Sequence, residues 1–402
     1  MSFFELLRCE LRAIFTNPAI LLTVFGGVVF YSFLYPLPYA NQIPREQRIV
    51  VANLDENQLS RRLERMVDAT PQVHIAARTY SLEEAQRIFF EQRMAGLLVI
   101  PEHFYRDLLL GRQPTLSYGG DASYFLIYGT VLQGLAAAGE TLAAQVKIKK
   151  MIGSGQALAL AKQQYTAMHL NLRSVFNPTG GYVNYVIPAV FILILHQTLI
   201  IAAGILGGGQ NEKNAEGAPG YWRDAAPLQL LVARSSIFVL VYWLLCMYYF
   251  GFSFSFYNIA RHAGFAELNL VILPFLLGAA FLGICLGLIL PRRELATLLV
   301  LLSSMPLVFT SGFIWPPEAI PALLRDLAQF IPVVPATKMF LGLNQMGGEF
   351  SSLQTHWYQM WLCVLLYGLL AWLLLHVQRR RCAAKPPEGK ESGQKEVVER
   401  AR

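Results

Sequence analysis

Apolar residues gather into six runs, roughly 18–38, 182–207, 233–256, 267–290, 294–315 and 357–377, each near the ~20 residues of helix that a bilayer requires. Ahead of the first run, Met1–Asn17 reads MSFFELLRCELRAIFTN. Phe3, Phe4, Leu6, Leu7, Leu11, Ile14 and Phe15 recur at helical spacing, with Glu5, Arg8, Glu10 and Arg12 on the other face. That pattern predicts an amphipathic helix lying along the membrane surface. Asn17-Pro18 ends it, because the residue before a proline avoids helical backbone. The first run is longer than the apolar core of a signal peptide. It closes on Tyr35-Pro36-Leu37-Pro38 with no small-residue cleavage site, so it is expected to stay as an anchor.

Between the first and second runs the period changes. RIVVAN (Arg48–Asn53) predicts a short strand, Leu59, Leu63, Met66 and Val67 a helix, and QVHIAARTY an alternating strand. Ser81-Leu82-Glu83-Glu84 fits a capping box that opens a helix. AGLLVIP (Ala95–Pro101) is a continuous apolar strand suited to a sheet centre; another strand is expected near Thr115–Tyr118, then a turn at Gly119-Gly120-Asp121, with Asp121 capping a long helical stretch from about 122 to 173. Residues 39–178 thus form an α/β domain with its own core.

The end of the fifth run is unusual. SGFIWPPEAIP (Ser311–Pro321) places a glycine, a tryptophan and three prolines where a spanning helix would simply leave the membrane. Pro316, Pro317 and Pro321 have no backbone N–H, and a continuous helix through them would leave carbonyls that lipid cannot satisfy. The helix should stop near Trp315, at the headgroup level. The stretch that follows has Ile320, Leu323, Leu324 and Leu327 on one face and Arg325 and Asp326 on the other. It is too short and too polar to span, and predicts a segment over 316–345 that dips into the outer leaflet and returns.

Composition supports a membrane protein: of 402 residues, 54% are hydrophobic and only 15% charged. The formal charge of +7 does not point to nucleic acid. The basic residues are scattered, and the one dense run, Arg379-Arg380-Arg381, follows an apolar helix as an anchor would. Arg8, Arg12, Lys213, Arg223, Arg234, Arg292, Arg293 and the basic tail all fall on one side of the six-span topology, whereas the short loops opposite hold only Arg261, Arg325 and Lys338. Both termini are therefore expected in the cytoplasm, with 39–178 outside. The tail from 378 to 402 is polar and expected to be disordered.

Candidate chemistry is sparse. The five cysteines show neither disulfide nor metal-ligand spacing. No phosphate loop, nucleophile elbow or His-x-x-x-His motif occurs, so no cofactor is expected on this chain. His196 and Gln197 are the most polar pair inside a span. They read either as an interhelical hydrogen bond or as part of a substrate path. The scarcity of charge in the spans suits an apolar or amphipathic cargo. A membrane-embedded enzyme finds no nucleophile or metal cluster to rest on; a non-transporting scaffold or receptor displaying the outer domain stays open.

Six spans, an N-terminal surface helix, SGFIWPPEAIP and the later FIPVVPATKMFLGL together resemble the permease subunits of type-2 ABC exporters. Gly312, Trp315, Pro316, Pro317, Pro321, Pro332 and Pro335 fall where that family has its outer re-entrant hairpin. The segment from VVANLDENQ to SYFLIYG is similar to the large extracytoplasmic domain of the drug-exporter-like branch, and FNPTGGYVNYVIPAV to its re-entry into the second span. The resemblance implies a fold: an α-helical polytopic membrane protein with six transmembrane helices, an amphipathic surface helix (1–17), a first span (18–38), an α/β extracytoplasmic domain (39–178), five further spans (179–377) and a cytoplasmic tail (378–402).

The same resemblance implies a multi-pass protein of the bacterial inner membrane. There, two permease subunits pair and each docks a separate ABC ATPase that holds ATP and Mg. Glu5, Arg8, Glu10 and Arg12 would lie at that docking contact, and Gly208–Asp224, with Glu212 and Glu216, would form the coupling loop. The family's acidic-arginine-acidic run before Gly-Thr is replaced here by GGGQNEKNAEGAPGYWRDA. The outer domain is expected either to pass cargo to a periplasmic adaptor and outer-membrane channel or to close over the exit.

Overall fold

The computed structural model describes residues 1–39, 44–165, 176–177 and 181–384. The chain divides into two units, Met1–Ala40 with Val175–Arg402, and Asn41–Ser174. Pro178–Gly180 of the expected re-entry, residues 166–173 of the expected long helix, and the tail beyond Ala384 lie outside the described residues.

In the first unit, the N-terminal helix runs Phe3–Phe15. Ser2 and Glu5 close a reciprocal cap on it: the Ser2 hydroxyl accepts from the Glu5 N–H at 3.3 Å and the Glu5 carboxylate accepts from the Ser2 N–H at 2.8 Å. Asn17 then turns the chain, its side chain accepting from the N–H groups of Ala19 and Ile20. Pro18 occupies the first helical position, where its missing N–H costs nothing.

Among the described residues, five helices are long and apolar enough to cross a membrane: Pro18–Tyr39, Val186–Ala215, Pro227–Phe256, Phe265–Ile289 and Phe350–Arg381. The run expected over 294–315 is a shorter helix of 17 residues, Glu294–Thr310, about 25 Å long at 1.5 Å per residue. It stops early because Gly312 adopts φ +82°, a region that suits glycine, with Pro317 packed against it. The apolar part of Val186–Ala215, from Val186 to Gly208, is buried at every position but Gln197, as befits a stretch that is hydrophobic all round. It lies against Phe265–Ile289 and Glu294–Thr310. Backbones touch at the first crossing: a Cβ on Gly207 would stand 2.7 Å from Gly287.

Beyond Gly312, a 3₁₀ turn at Pro317–Ala319 leads to two short helices, Ala322–Ala328 and Val333–Phe340. The first leaves Leu323, Leu324 and Leu327 mostly exposed, whereas Val333 and Val334 of the second are fully buried. Trp315, Pro316 and Pro321 are exposed, Pro317 is half-buried, and Pro332 and Pro335 are buried where the second helix starts. The Tyr367 hydroxyl donates to the Phe330 carbonyl at 2.7 Å and ties this segment to the last long helix. That helix continues through Ala384, so residues 378–384 are helical rather than part of an irregular tail.

The second unit is a four-stranded sheet in the order β2-β1-β3-β4, with β1 Gln47–Asn53, β2 Val73–Thr79, β3 Gly96–Ile100 and β4 Ser117–Gly120. β1 is parallel to both its neighbours and β4 is antiparallel to β3. Ile49 and Val51 face one core and Val50 and Ala52 the other, so β1 reads as an unbroken apolar run. Helices Gln58–Asp68 and Leu82–Glu91 make the crossovers, the latter capped by the Ser81 hydroxyl on the Glu84 N–H.

Three sequence expectations are corrected here. Gly119 and Gly120 belong to β4 rather than to a turn, because Gly120 pairs with Gly96 and together they make room for the Tyr118 ring. The long helical stretch is broken into Phe125–Gly153 and Leu158–Gln164. Asp121 accepts from the Ser123 N–H, forming a turn before the helix, and does not cap it.

Candidate functional site

The N-terminal helix meets the first unit's interior through one acidic side chain. Leu6, Glu10 and Ile14 lie on its buried face, and Glu10 is fully enclosed. Its carboxylate accepts two hydrogen bonds from Arg234, Nε at 2.9 Å and Nη2 at 2.7 Å. This fork-on-fork geometry is the strongest form of the pair. Arg234 Nη2 also donates to Gln210 at 2.8 Å, and Gln210 donates in turn to the Tyr221 hydroxyl at 3.4 Å. Burial, and then the nearby Glu10 carboxylate, pushes the Tyr221 phenol far above its usual value, so it stays protonated. Four segments are thus joined at one buried charge pair: the N-terminal helix, the end of Val186–Ala215, the short helix Tyr221–Asp224, and Pro227–Phe256.

Glu10 is therefore not on the polar outer face where its spacing had set it. Its carboxylate is wholly engaged inside, leaving nothing for an outside partner. Arg8 and Arg12 are exposed, and Glu5 is exposed while capping its own helix.

The stretch Gly208–Asp224, expected as a loop, is helical through Ala215. Only the residues around Gly217 turn before Tyr221–Asp224. Glycine is a poor helix former, yet here a Cβ on Gly208 would meet the Arg293 backbone at 2.9 Å, and close packing holds the helix on course. Asn211, one position in from Gln210, donates to the carbonyls of Gly287, Leu288 and Leu290 at 2.9, 3.1 and 2.9 Å. These are acceptors that the end of Phe265–Ile289 leaves without helical partners. Gln378 on the last helix donates to Asn211 at 2.6 Å. Glu212 accepts from the Arg293 N–H at 2.8 Å and pairs with its guanidinium at 3.3 Å.

Above this polar layer lies an open groove of about 480 Å³, walled by Thr16 and Asn17 at the end of the surface helix, by Glu212 and Glu216, and by Trp222 and Arg293. The groove brings Glu212 and Glu216 together with the end of the surface helix. Lys213 stands 5.9 Å over the Trp222 ring on its wall.

His196 and Gln197 part company. Gln197 donates across to Ser304 of Glu294–Thr310 at 2.8 Å, an interhelical hydrogen bond. His196 is buried against Phe275, and neither of its ring nitrogens has a hydrogen-bond partner among the described residues. None of the hairpin residues Gly312, Trp315, Pro316, Pro317, Pro321, Pro332 and Pro335 lines the groove.

Arg234 and Gln378 were not among the sequence-derived site candidates, and Gln210 and Asn211 fell inside the expected coupling loop without being singled out. Arg234 carried a signal: it interrupts LQLLVARSSIFVLV, and a lone cation within an apolar run requires an anion nearby.

The arrangement defines a helical membrane-embedded protein whose N-terminal helix is tied by buried charge to its long apolar helices, with an open polar groove at that junction. The chain belongs to the ABC-2 transporter family, matching the family described as "ABC-2 family transporter protein" over residues 18–373. It is thus a transmembrane component of an ABC transporter, a kind of subunit that works with an ABC ATPase. No curated protein matches the chain.

Proposed function

We propose that the chain is the permease subunit of an ATP-driven exporter that moves an apolar or amphipathic substrate out of the cytoplasm or the inner leaflet. The observation that carries this reading is the groove lined by Gln210 and Tyr221, the residues hydrogen-bonded into the network of the Glu10–Arg234 pair. A partner seated there presses on the surface helix and on the end of Val186–Ala215 at once. The ATPase, with its ATP and Mg, docks on that groove; Arg8, Arg12, Glu212 and Glu216 present charge to it, and Glu10 transmits the load inward. Two permease subunits pair in the inner membrane with both termini cytoplasmic. The exposed leucines of Ala322–Ala328 suit lipid contact, and this supports a re-entrant hairpin on the outer side. Residues 39–178 lie outside the membrane, where an adaptor and outer-membrane channel would receive cargo.

The test uses the full-length chain, tagged at its C-terminus and extracted from native membranes in mild detergent. An ATPase subunit should co-elute in near-equal amount. The triple variant Arg8→Glu/Arg12→Glu/Glu216→Lys should remain in the membrane but lose that partner and its export activity. Unchanged co-elution of the ATPase moves docking elsewhere. If no ATPase is found with the wild-type chain, the scaffold reading gains.

A further inference from the structure

The unit Asn41–Ser174 contains a cavity of about 770 Å³ that no transport step assigned above uses. Three helices wall it. Gln58, Arg62, Arg65 and Ala69 recur along one face of Gln58–Asp68 and its cap, and Leu142, Gln145, Val146 and Lys149 along one face of Phe125–Gly153. Phe104–Leu109 closes the third side with Tyr105, Leu108 and Leu109. The floor is apolar: Leu142 is buried in the core, and Leu59, Met66, Leu108 and Val146 pack against that core.

The rim is cationic. Arg62, Arg65, Lys149 and Lys150 all line the cavity, and no carboxylate does. Arg61, Arg78, Arg87, Arg106 and Arg112 each pair with an Asp or Glu. None of the four rim cations has a carboxylate partner among the described residues, and the same holds for Arg45, Arg48, Arg93, Lys147 and Lys162, so what sets the rim apart is that four such cations share one opening over an apolar floor. Gln145 adds a buried amide oxygen with no partner, and its NH₂ can turn to an anion instead. Four like charges around one opening repel one another unless an anion sits between them. An apolar floor beneath them gains by covering hydrocarbon.

From this geometry we infer a binding site for a single-chain anionic amphiphile, its hydrocarbon on the Met66–Leu108–Leu142–Val146 floor and its acidic head among Arg62, Arg65, Lys149 and Lys150. The volume lies within the range of roughly 300–1,000 Å³ typical of small-molecule pockets, enough for one chain rather than a diacyl lipid. The site concerns this unit alone and stands whether or not the chain exports anything.

The test uses the full-length protein in phosphatidylcholine nanodiscs and a photo-reactive palmitate analogue, with adducts mapped by mass spectrometry. Adducts should fall within 58–69, 105–109 and 142–150, and palmitate should compete for them while hexadecanol does not. Reversing rim charge at exposed positions, Arg65→Glu/Lys149→Glu, should weaken labelling by about tenfold or more, as expected for loss of charge-assisted contacts. Val146→Trp should abolish it by filling the floor with the rim intact. Hexadecanol competing as well as palmitate, labelling unchanged by the charge reversal, or adducts confined to the long apolar helices would each overturn the site.

Discussion

Truncating Arg234 strands the fully enclosed Glu10 carboxylate, which has no other salt-bridge partner among the described residues. Breaking such a pair typically costs about 3–5 kcal/mol, while replacing both partners with apolar residues of similar size is often near neutral. Arg234→Ala should therefore lower the unfolding temperature of the protein in detergent markedly, and Glu10→Leu/Arg234→Met should recover most of the loss. An Arg234→Ala variant that melts with the wild type would show the pair to be structurally idle. A second residue-scale outcome concerns Tyr118. Burial first, then the neighbouring Tyr128, pushes its phenol from 10.0 up to about 12. The folded state thus favours the neutral form. That contribution is complete below pH 10 and fades as pH rises toward 12. Tyr118→Phe should remove this alkaline loss from a pH series of amide-exchange protection in β3 and β4. Neither feature was plain in the sequence. Glu10 looked solvent-facing because helical spacing alone put it beside Arg8 and Arg12, and Arg234 looked like a loop marker because the third span was expected to begin at 233 rather than at Pro227.

Among the elements, the end of Val186–Ala215 repays testing most. Asn211 holds three carbonyls of a neighbouring helix with one amide, and leaving buried acceptors unmet costs about 1–3 kcal/mol. Asn211→Ala should loosen Leu286–Leu290, seen as faster amide exchange there with the unit Asn41–Ser174 unchanged. Gly287→Leu should do more harm, because its side chain would start 2.9 Å from the Ala203 carbonyl. Trypsin sensitivity at Arg292 and Arg293 would report the splayed helices, and wild-type resistance would deny the contact. Gly208 and Gly209 read as the start of a loop because glycine weakens a lone helix; only neighbours distant in sequence reveal that close packing demands glycine at Gly207 and Gly208. The break at SGFIWPPEAIP was legible for the opposite reason. Proline's missing N–H and glycine's positive φ act locally and need no partner to be recognised.

Across the whole molecule, alternation and run length were enough to separate apolar helices from the four strands, since both signals are local. They did not give the order β2-β1-β3-β4, which depends on which crossover packs where. They also lengthened Glu294–Thr310 into a run like the others, because hydropathy counts residues and not the turn that ends them. The groove was only half visible: Glu212, Glu216 and Trp222 fell within one expected loop, but that Thr16 and Arg293, from two other stretches of chain, wall the same groove was not.

The enclosed helix Val186–Ala215 also bears on biogenesis. At mean hydropathy 2.3 it is apolar enough to enter a bilayer alone, yet Phe265–Ile289 and Glu294–Thr310, which cover its glycine face, are made later. During synthesis its Gly204–Gly208 seam faces lipid until those helices leave the ribosome and close around it. A nascent chain stalled near residue 256 is then an unfinished core, open to insertases and to membrane proteases that survey uncovered helix faces.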